Sequence, residues 1–214
     1  MVLAHDVQPR VGSRLKTQVQ ESDRRARQTM VRGRELPCRF HLLVSTMIRK
    51  AIQTDIESIA GIYNEAIREG GFTGDLEPLS IENRQAWYRD HQDPYAIFVT
   101  VLDNSLVGYA ALSPYRQGRN AFSQTCEISY YFSNQHRGLG LGMELINHAI
   151  EHAKHSGFRL IVAMVLQSNQ RSIDMLIKFG FTISGRLPNA AKINAEYVDH
   201  LYLSRCLTEG RPIL

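Results

Sequence analysis

The sequence predicts a mixed α/β fold, a central sheet of about six to seven strands flanked by helices, and three observations predict it. From residue 47 onward, strand-like and amphipathic helical stretches alternate, the pattern of a sheet covered by helices. The run "RLIVAMVL" (159–166) is almost continuously apolar, as a strand buried on both faces must be. Finally, "QHRGLGLG" (135–142) packs three glycines into five positions between a strand-like and a helix-like stretch.

Taken in order, "MIRKAI" (47–52) is short, partly alternating and strand-like. Ile56, Ile59, Ile62, Tyr63 and Ile67 then recur at helical spacing, behind Thr54 as a candidate N-cap and before Gly70-Gly71 as a stop. "FTGDLEPLS" (72–80) reads as a loop whose Ser80 caps a short helix, "IENRQAWYRDH". "YAIFVTVL" and "SLVGYAAL" flank Asp103-Asn104, a turn signal that makes them a hairpin. A polar loop leads into the strand "TCEISYYF" (125–132) and the Gly-rich turn. The next helix sets Leu145, Ile146, Ala149, Ile150 and Ala153 on one face and stops at Gly157. After the apolar strand, "NQRSIDMLIKFGF" is a helix with a glycine stop, and "FTISGRL" and "EYVDHLYLSRCL" are the last strands.

At 43% hydrophobic and 21% charged the composition is that of a soluble globular protein, and no apolar run approaches the ~18 residues of a membrane span. Three cysteines, Cys38, Cys126 and Cys206, are odd in number and far apart, which fits neither a zinc site nor a disulfide scaffold and predicts a reducing, cytoplasmic setting. The net charge of +4 divides unevenly: residues 1–46 carry 9 Lys+Arg and 4 Asp+Glu, leaving 16 and 17 for the rest, or +5 against −1. A case for nucleic acid would rest on that mixed-sign extension alone, and such a segment reads as merely solvated. Residues 1–46 are expected to be disordered and dispensable, with Met47 as an alternative natural start, and residues 47–214 to form one domain.

A glycine turn at a helix N-terminus offers free N–H groups and the positive end of the helix dipole, so it suits a phosphate; it also suits a tightly packed helix entry. The P-loop pattern is absent, and so are the spacing and the acidic residue of the dinucleotide fingerprint. Arg137-Gly138-Leu139-Gly140-Leu141-Gly142 instead resembles the [RQ]-x-x-G-x-[GA] turn of the GNAT acetyltransferases. "GIYNEAI", "FTGDLEP", "GRNAFSQTCEISYYF", "SNQRSIDMLIKFGF" and "AKINAEYVDHLYL" are similar to the phosphinothricin and methionine-sulfone type of amino-acid N-acetyltransferase, and the resemblance covers residues 47–206.

That resemblance implies a GNAT-like fold and transfer of an acetyl group from acetyl-CoA, as co-substrate and without a metal, to a small-molecule amine such as an amino acid or its analogue. It implies that residues 137–142 hold the pyrophosphate, that Tyr130, Tyr131 and Phe132 form the strand edge along the pantetheine arm, and that Asn169 and Ser172 hold that arm. Asn169 also reads as a plain helix N-cap. Glu127 is the implied base; its alternative is an exposed strand glutamate or one paired with Arg119. Phe72, Thr73, Arg116, Arg119 and Lys192 fall in regions that line the acceptor pocket. The Tyr or His which that family uses to protonate the departing thiolate is here Leu176. His148, His152 and His155 read as a solvated helix face rather than as metal ligands, and Cys126 as a small core residue facing away from Glu127. A homodimer is implied by the resemblance. A protein amine or polyamine acceptor, or a non-catalytic CoA-binding module, is the alternative reading.

Overall fold

In the computed structural model, residues 45–208 are described; all but the last two residues of the 1–46 extension lie outside them. The described chain contains β1 (Thr46–Lys50), α1 (Ile56–Glu69), α2 (Ile81–Arg89), β2 (Ile97–Leu102), β3 (Ser105–Pro114), β4 (Thr125–Phe132), α3 (Leu141–His155), β5 (Leu160–Leu166), α4 (Gln170–Lys178), β6 (Thr182–Ile193) and β7 (Glu196–Cys206). The strands form one seven-stranded sheet in the order β1-β2-β3-β4-β5-β7-β6. Every neighbouring pair is antiparallel except β4 and β5, which are joined through α3 as a parallel pair must be by a crossover.

Side-chain alternation sorts the core onto the two sheet faces. On β3, Ala110 and Leu112 join the cluster beneath α3 and α4, whereas Tyr109 and Ala111 join the cluster beneath α1. On β4, Cys126 and Ile128 face the first cluster, so Cys126 is a buried core thiol, as the alternation predicts. β2 and β3 turn at Asp103 and Asn104 with φ of 46° and 66°, the left-handed pair that a two-residue hairpin demands.

Two local expectations are corrected. Thr54 does not cap the first helix: Asp55, buried at the preceding turn, accepts the Ile52 N–H at 2.8 Å and both guanidinium nitrogens of Arg49 at 2.6 and 2.9 Å. The strand read as 181–187 runs on as β6 to Ile193, past Pro188 and the positive-φ Asn189. The register shifts between Leu187 and Ala191, and Asp199 on β7 holds the irregular stretch by accepting the Asn189 N–H at 2.8 Å and pairing with Arg186. Ser80 caps α2 as expected, accepting the Asn83 N–H at 3.2 Å.

Gly108 lies opposite Phe132 in the β3–β4 register, and a Cβ there would come within 2.3 Å of the Phe132 ring. Gly108→Ala is expected to destabilise the protein by about 1–3 kcal/mol through overpacking, measured as a lower urea midpoint at unchanged m-value.

Candidate active site

The parallel pairing of β4 and β5 covers only Thr125–Leu160, Cys126–Ile161 and Glu127–Val162. Beyond Glu127 the two strands part, and the β5-facing backbone of residues 128–132 has no strand partner. Glu127 therefore stands at the apex of a fork.

A cavity of about 690 Å³ opens beside the fork, between β4, the Gly-rich turn and the start of α4. Tyr130, Tyr131, Phe132, Arg137, Gly138, Gly140, Leu141, Gly142, Asn169 and Ser172 all line it; Leu139 is exposed and does not. Gly140 is the residue before α3 and takes φ +84°, a left-handed conformation that side chains rarely adopt. A Cβ on Gly142 would sit in ordinary van der Waals contact with Met175 at 3.5 Å and Phe132 at 3.6 Å. Asn169 is an N-cap, accepting the Ser172 N–H at 3.2 Å, and lines the cavity as well. The Tyr130 hydroxyl donates to the Ser172 carbonyl at 3.4 Å.

Arg137 is not a free cation. Its guanidinium meets both carboxylate oxygens of Glu69 on α1 at 2.7 and 2.8 Å, lies over the Phe72 ring and donates to the Phe132 carbonyl. The exposed cations on the cavity wall are instead Arg171 and Lys178 on α4, which the sequence reading missed; a Cβ on Gly138 would stand 4.0 Å from Arg171 Nη2. Leu176 is fully buried in the core under α4, so the position expected to carry an acid serves packing.

A second cavity of about 490 Å³ lies against the first, sharing Phe72 and Tyr131 with it. Glu127, Thr73, Arg84, Ser113 and His200 are among its lining residues. Burial alone pushes the Glu127 carboxyl up to about 7, and among the described residues it has no salt-bridge partner. The pairing with Arg119 is thus not formed. Arg116 and Arg119 are exposed and line neither cavity, and Lys192, next to the cavity-lining Ala191, is exposed over the Tyr197 ring.

The cation in the pocket is Arg84, 5% exposed, with its guanidinium 3.7 Å from the Tyr63 ring centroid and 5.0 Å from that of Trp87. Its Nε has no hydrogen-bond partner, and among the described residues no carboxylate pairs with it. The nearby Asp75 is engaged by the Tyr63 hydroxyl at 2.6 Å. Three-residue spacing from Trp87 on a short helix was the only signal for Arg84 in the sequence. The three α3 histidines sit apart from both cavities: His148 and His152 pack edge-on against Phe98, and His155 bonds the Glu151 carbonyl.

The model of the acetyltransferase (GNAT) family matches residues 58–181. The chain belongs to that family. It is 30% identical over 170 residues to the L-methionine sulfoximine/L-methionine sulfone acetyltransferase of Pseudomonas paraeruginosa, covering 78% of this chain and 98% of that one. An N-acetyltransferase of Staphylococcus aureus superposes with a TM-score of 0.74 at 32% identity, over 77% of this chain and 99% of its own. A phosphinothricin acetyltransferase of Sinorhizobium meliloti in complex with acetyl-CoA superposes with a TM-score of 0.73 at 27% identity, over 77% and 90%. Among the described residues no helix is long and apolar enough to cross a membrane.

The raised Glu127 carboxyl has a consequence for stability. A group whose pKa is higher in the folded state contributes stability that is full below the unfolded value, here about 4.5, and is lost as pH climbs through about 7. Glu127→Gln, which never ionises, is expected to be more stable than the wild type by about 1–3 kcal/mol at pH 8 and to lose most of that advantage at pH 5, measured by urea denaturation at both pH values.

Proposed function

We propose that the protein transfers the acetyl group of acetyl-CoA to the primary amine of a small amino acid or amino-acid analogue, of the methionine sulfone, methionine sulfoximine or phosphinothricin kind. The observation that carries this is Glu127: an unpaired carboxyl, held near 7 by burial, at the apex of the β4–β5 fork and in the wall of the second cavity. The names of the relatives support the same chemistry.

The residues present suit acetyl-CoA. The left-handed Gly138 and Gly140 open the turn at the α3 N-terminus to an anion, with Arg171 and Lys178 beside it. The unpaired edge of β4 suits an amide-bearing arm laid alongside as an added strand. Glu127 then takes one proton from the substrate ammonium, the nitrogen forms a C–N bond to the thioester carbonyl carbon, the C–S bond breaks, and the nitrogen gives up a second proton through solvent as the departing thiolate takes one up, which leaves a neutral amide, a thiol and a protonated Glu127 that returns its proton to water. An α-amino group ionises at about 7.7–8.0, so a carboxylate near 7 is a matched base, whereas a lysine amine near 10.4 is not. Arg84, a buried cation without a carboxylate, is suited to the carboxylate of the acceptor. Acceptors lacking that carboxylate, such as polyamines, would leave it unpaired.

Thiol release from acetyl-CoA over a panel of amino acids tests the reading. Turnover is expected with an α-amino acid of this kind, with kcat/KM rising with pH through about 7. Glu127→Gln should lower kcat by about a hundredfold or more and remove that limb while leaving acetyl-CoA affinity unchanged. Acetyl-CoA binding with no acceptor-stimulated release would replace the enzyme with a binding module. Arg84→Gln is expected to raise KM for amino acids about tenfold or more and to leave the corresponding decarboxylated amines unaffected, as initial rates on matched pairs would measure.

A further inference from the structure

Ser113 lies directly opposite Glu127 in the β3–β4 register, and both line the second cavity. Directly opposed residues in an antiparallel pair hold their Cβ atoms about 4.5–5.5 Å apart. The Ser113 hydroxyl is in turn bonded to His91 Nε2 at 2.9 Å, and His91 Nδ1 to the Trp87 carbonyl at 2.7 Å.

These contacts fix the direction of every hydrogen bond. A carbonyl only accepts, so Nδ1 carries the imidazole proton. Burial, the main influence on His91, holds its pKa below the ordinary value, so the ring is neutral and Nε2 is an acceptor. Ser113 must therefore donate its hydroxyl proton to His91, which leaves its oxygen only lone pairs to offer the cavity. At the Glu127 end the cavity thus presents two acceptors side by side, one a carboxylate and one a hydroxyl that has already spent its proton.

We propose that Ser113, oriented by His91, is a positioning residue that selects primary amines. This rests on the acetyltransferase reading above. Once the ammonium has passed one proton to Glu127, the primary amine keeps two N–H groups and a lone pair; as it turns that lone pair to the thioester, one N–H meets Ser113 Oγ and the other the carbonyl oxygen of the Glu127 carboxyl. An N-methylated amine has one N–H too few and leaves one acceptor unsatisfied, and an alcohol has only a single O–H.

The test uses the full chain, with an α-amino acid that the wild type acetylates and its N-methyl derivative. The wild type should prefer the primary amine by about tenfold or more in kcat/KM. Ser113→Ala should lower kcat/KM for the primary amine about tenfold and bring the ratio towards one, with acetyl-CoA affinity unchanged as evidence of an intact fold. His91→Phe, which frees the hydroxyl to rotate, should shift the ratio in the same direction, and Ser113→Thr, which keeps the hydroxyl on a strand, should restore it. A ratio unaltered in Ser113→Ala, or a Ser113→Thr enzyme as indiscriminate as Ser113→Ala, would overturn the inference and leave the function standing. A wild type that binds acetyl-CoA and acetylates no amine would overturn both.

Discussion

The divergence of β4 from β5 after three residue pairs is the constraint on which the rest of the structure turns. Backbone amides left unpaired in a protein interior cost about 1–3 kcal/mol each, so a sheet does not open in its middle unless water or a ligand can reach the exposed edge. Here the opening is a cavity of about 690 Å³ lined by the elements that the crossover brings back: the Gly-rich turn enters α3 at one side, and the α4 N-cap residue Asn169 follows β5 at the other. The same divergence leaves Glu127 as the last residue of its strand to pair with β5, held by Ser113 of β3 on one side and by Val162 on the other. Firm backbone and open surroundings meet at one carboxyl.

Electrostatics in the second cavity follow from the same frame. Among the described residues Glu127 has no cation and Arg84 no carboxylate, yet both face one space of about 490 Å³. Burying charges without partners is unfavourable, and a fold under selection for stability alone would pair or replace them. Under the proposed function the arrangement has a use, because an α-amino acid presents one charge of each sign and neutralises both groups at once. Arg84 is kept in place meanwhile by Tyr63 and Trp87, whose ring faces hold a guanidinium without consuming its hydrogen bonds.

What the sequence made legible was whatever depends on neighbours along the chain. Period-two alternation in "TCEISYYF" separated Cys126 from Glu127, helical spacing in α3 found its buried face, and the family resemblance named eleven residues of which ten line the first cavity. Pairings between distant segments were not legible. Arg137 reads as a phosphate ligand until Glu69, 68 residues away, is seen to hold it. The Ser113–His91 contact joins a strand end to the turn after α2, and Arg84 looks like any arginine on a polar helix until its face is found under aromatic rings. The run of β6 beyond Leu187 was not legible either, because nothing local announces Asp199 on the facing strand.

The burial of Leu176 bears on how the chemistry is divided. Leu176 has no ionisable proton and is packed with no exposure in the core beneath α4, so the position where the resemblance implied an acid serves packing. A thiol ionises near 8.5, so its thiolate is a good leaving group in near-neutral water and gains little from an acid. The nucleophile is the harder problem, since an α-ammonium near 7.7–8.0 has no lone pair until it is deprotonated. Under the proposed function this chain concentrates its polar groups where that difficulty lies. Glu127 supplies the base, Ser113 the second acceptor, and the opposite end of the reaction is left to packing and solvent.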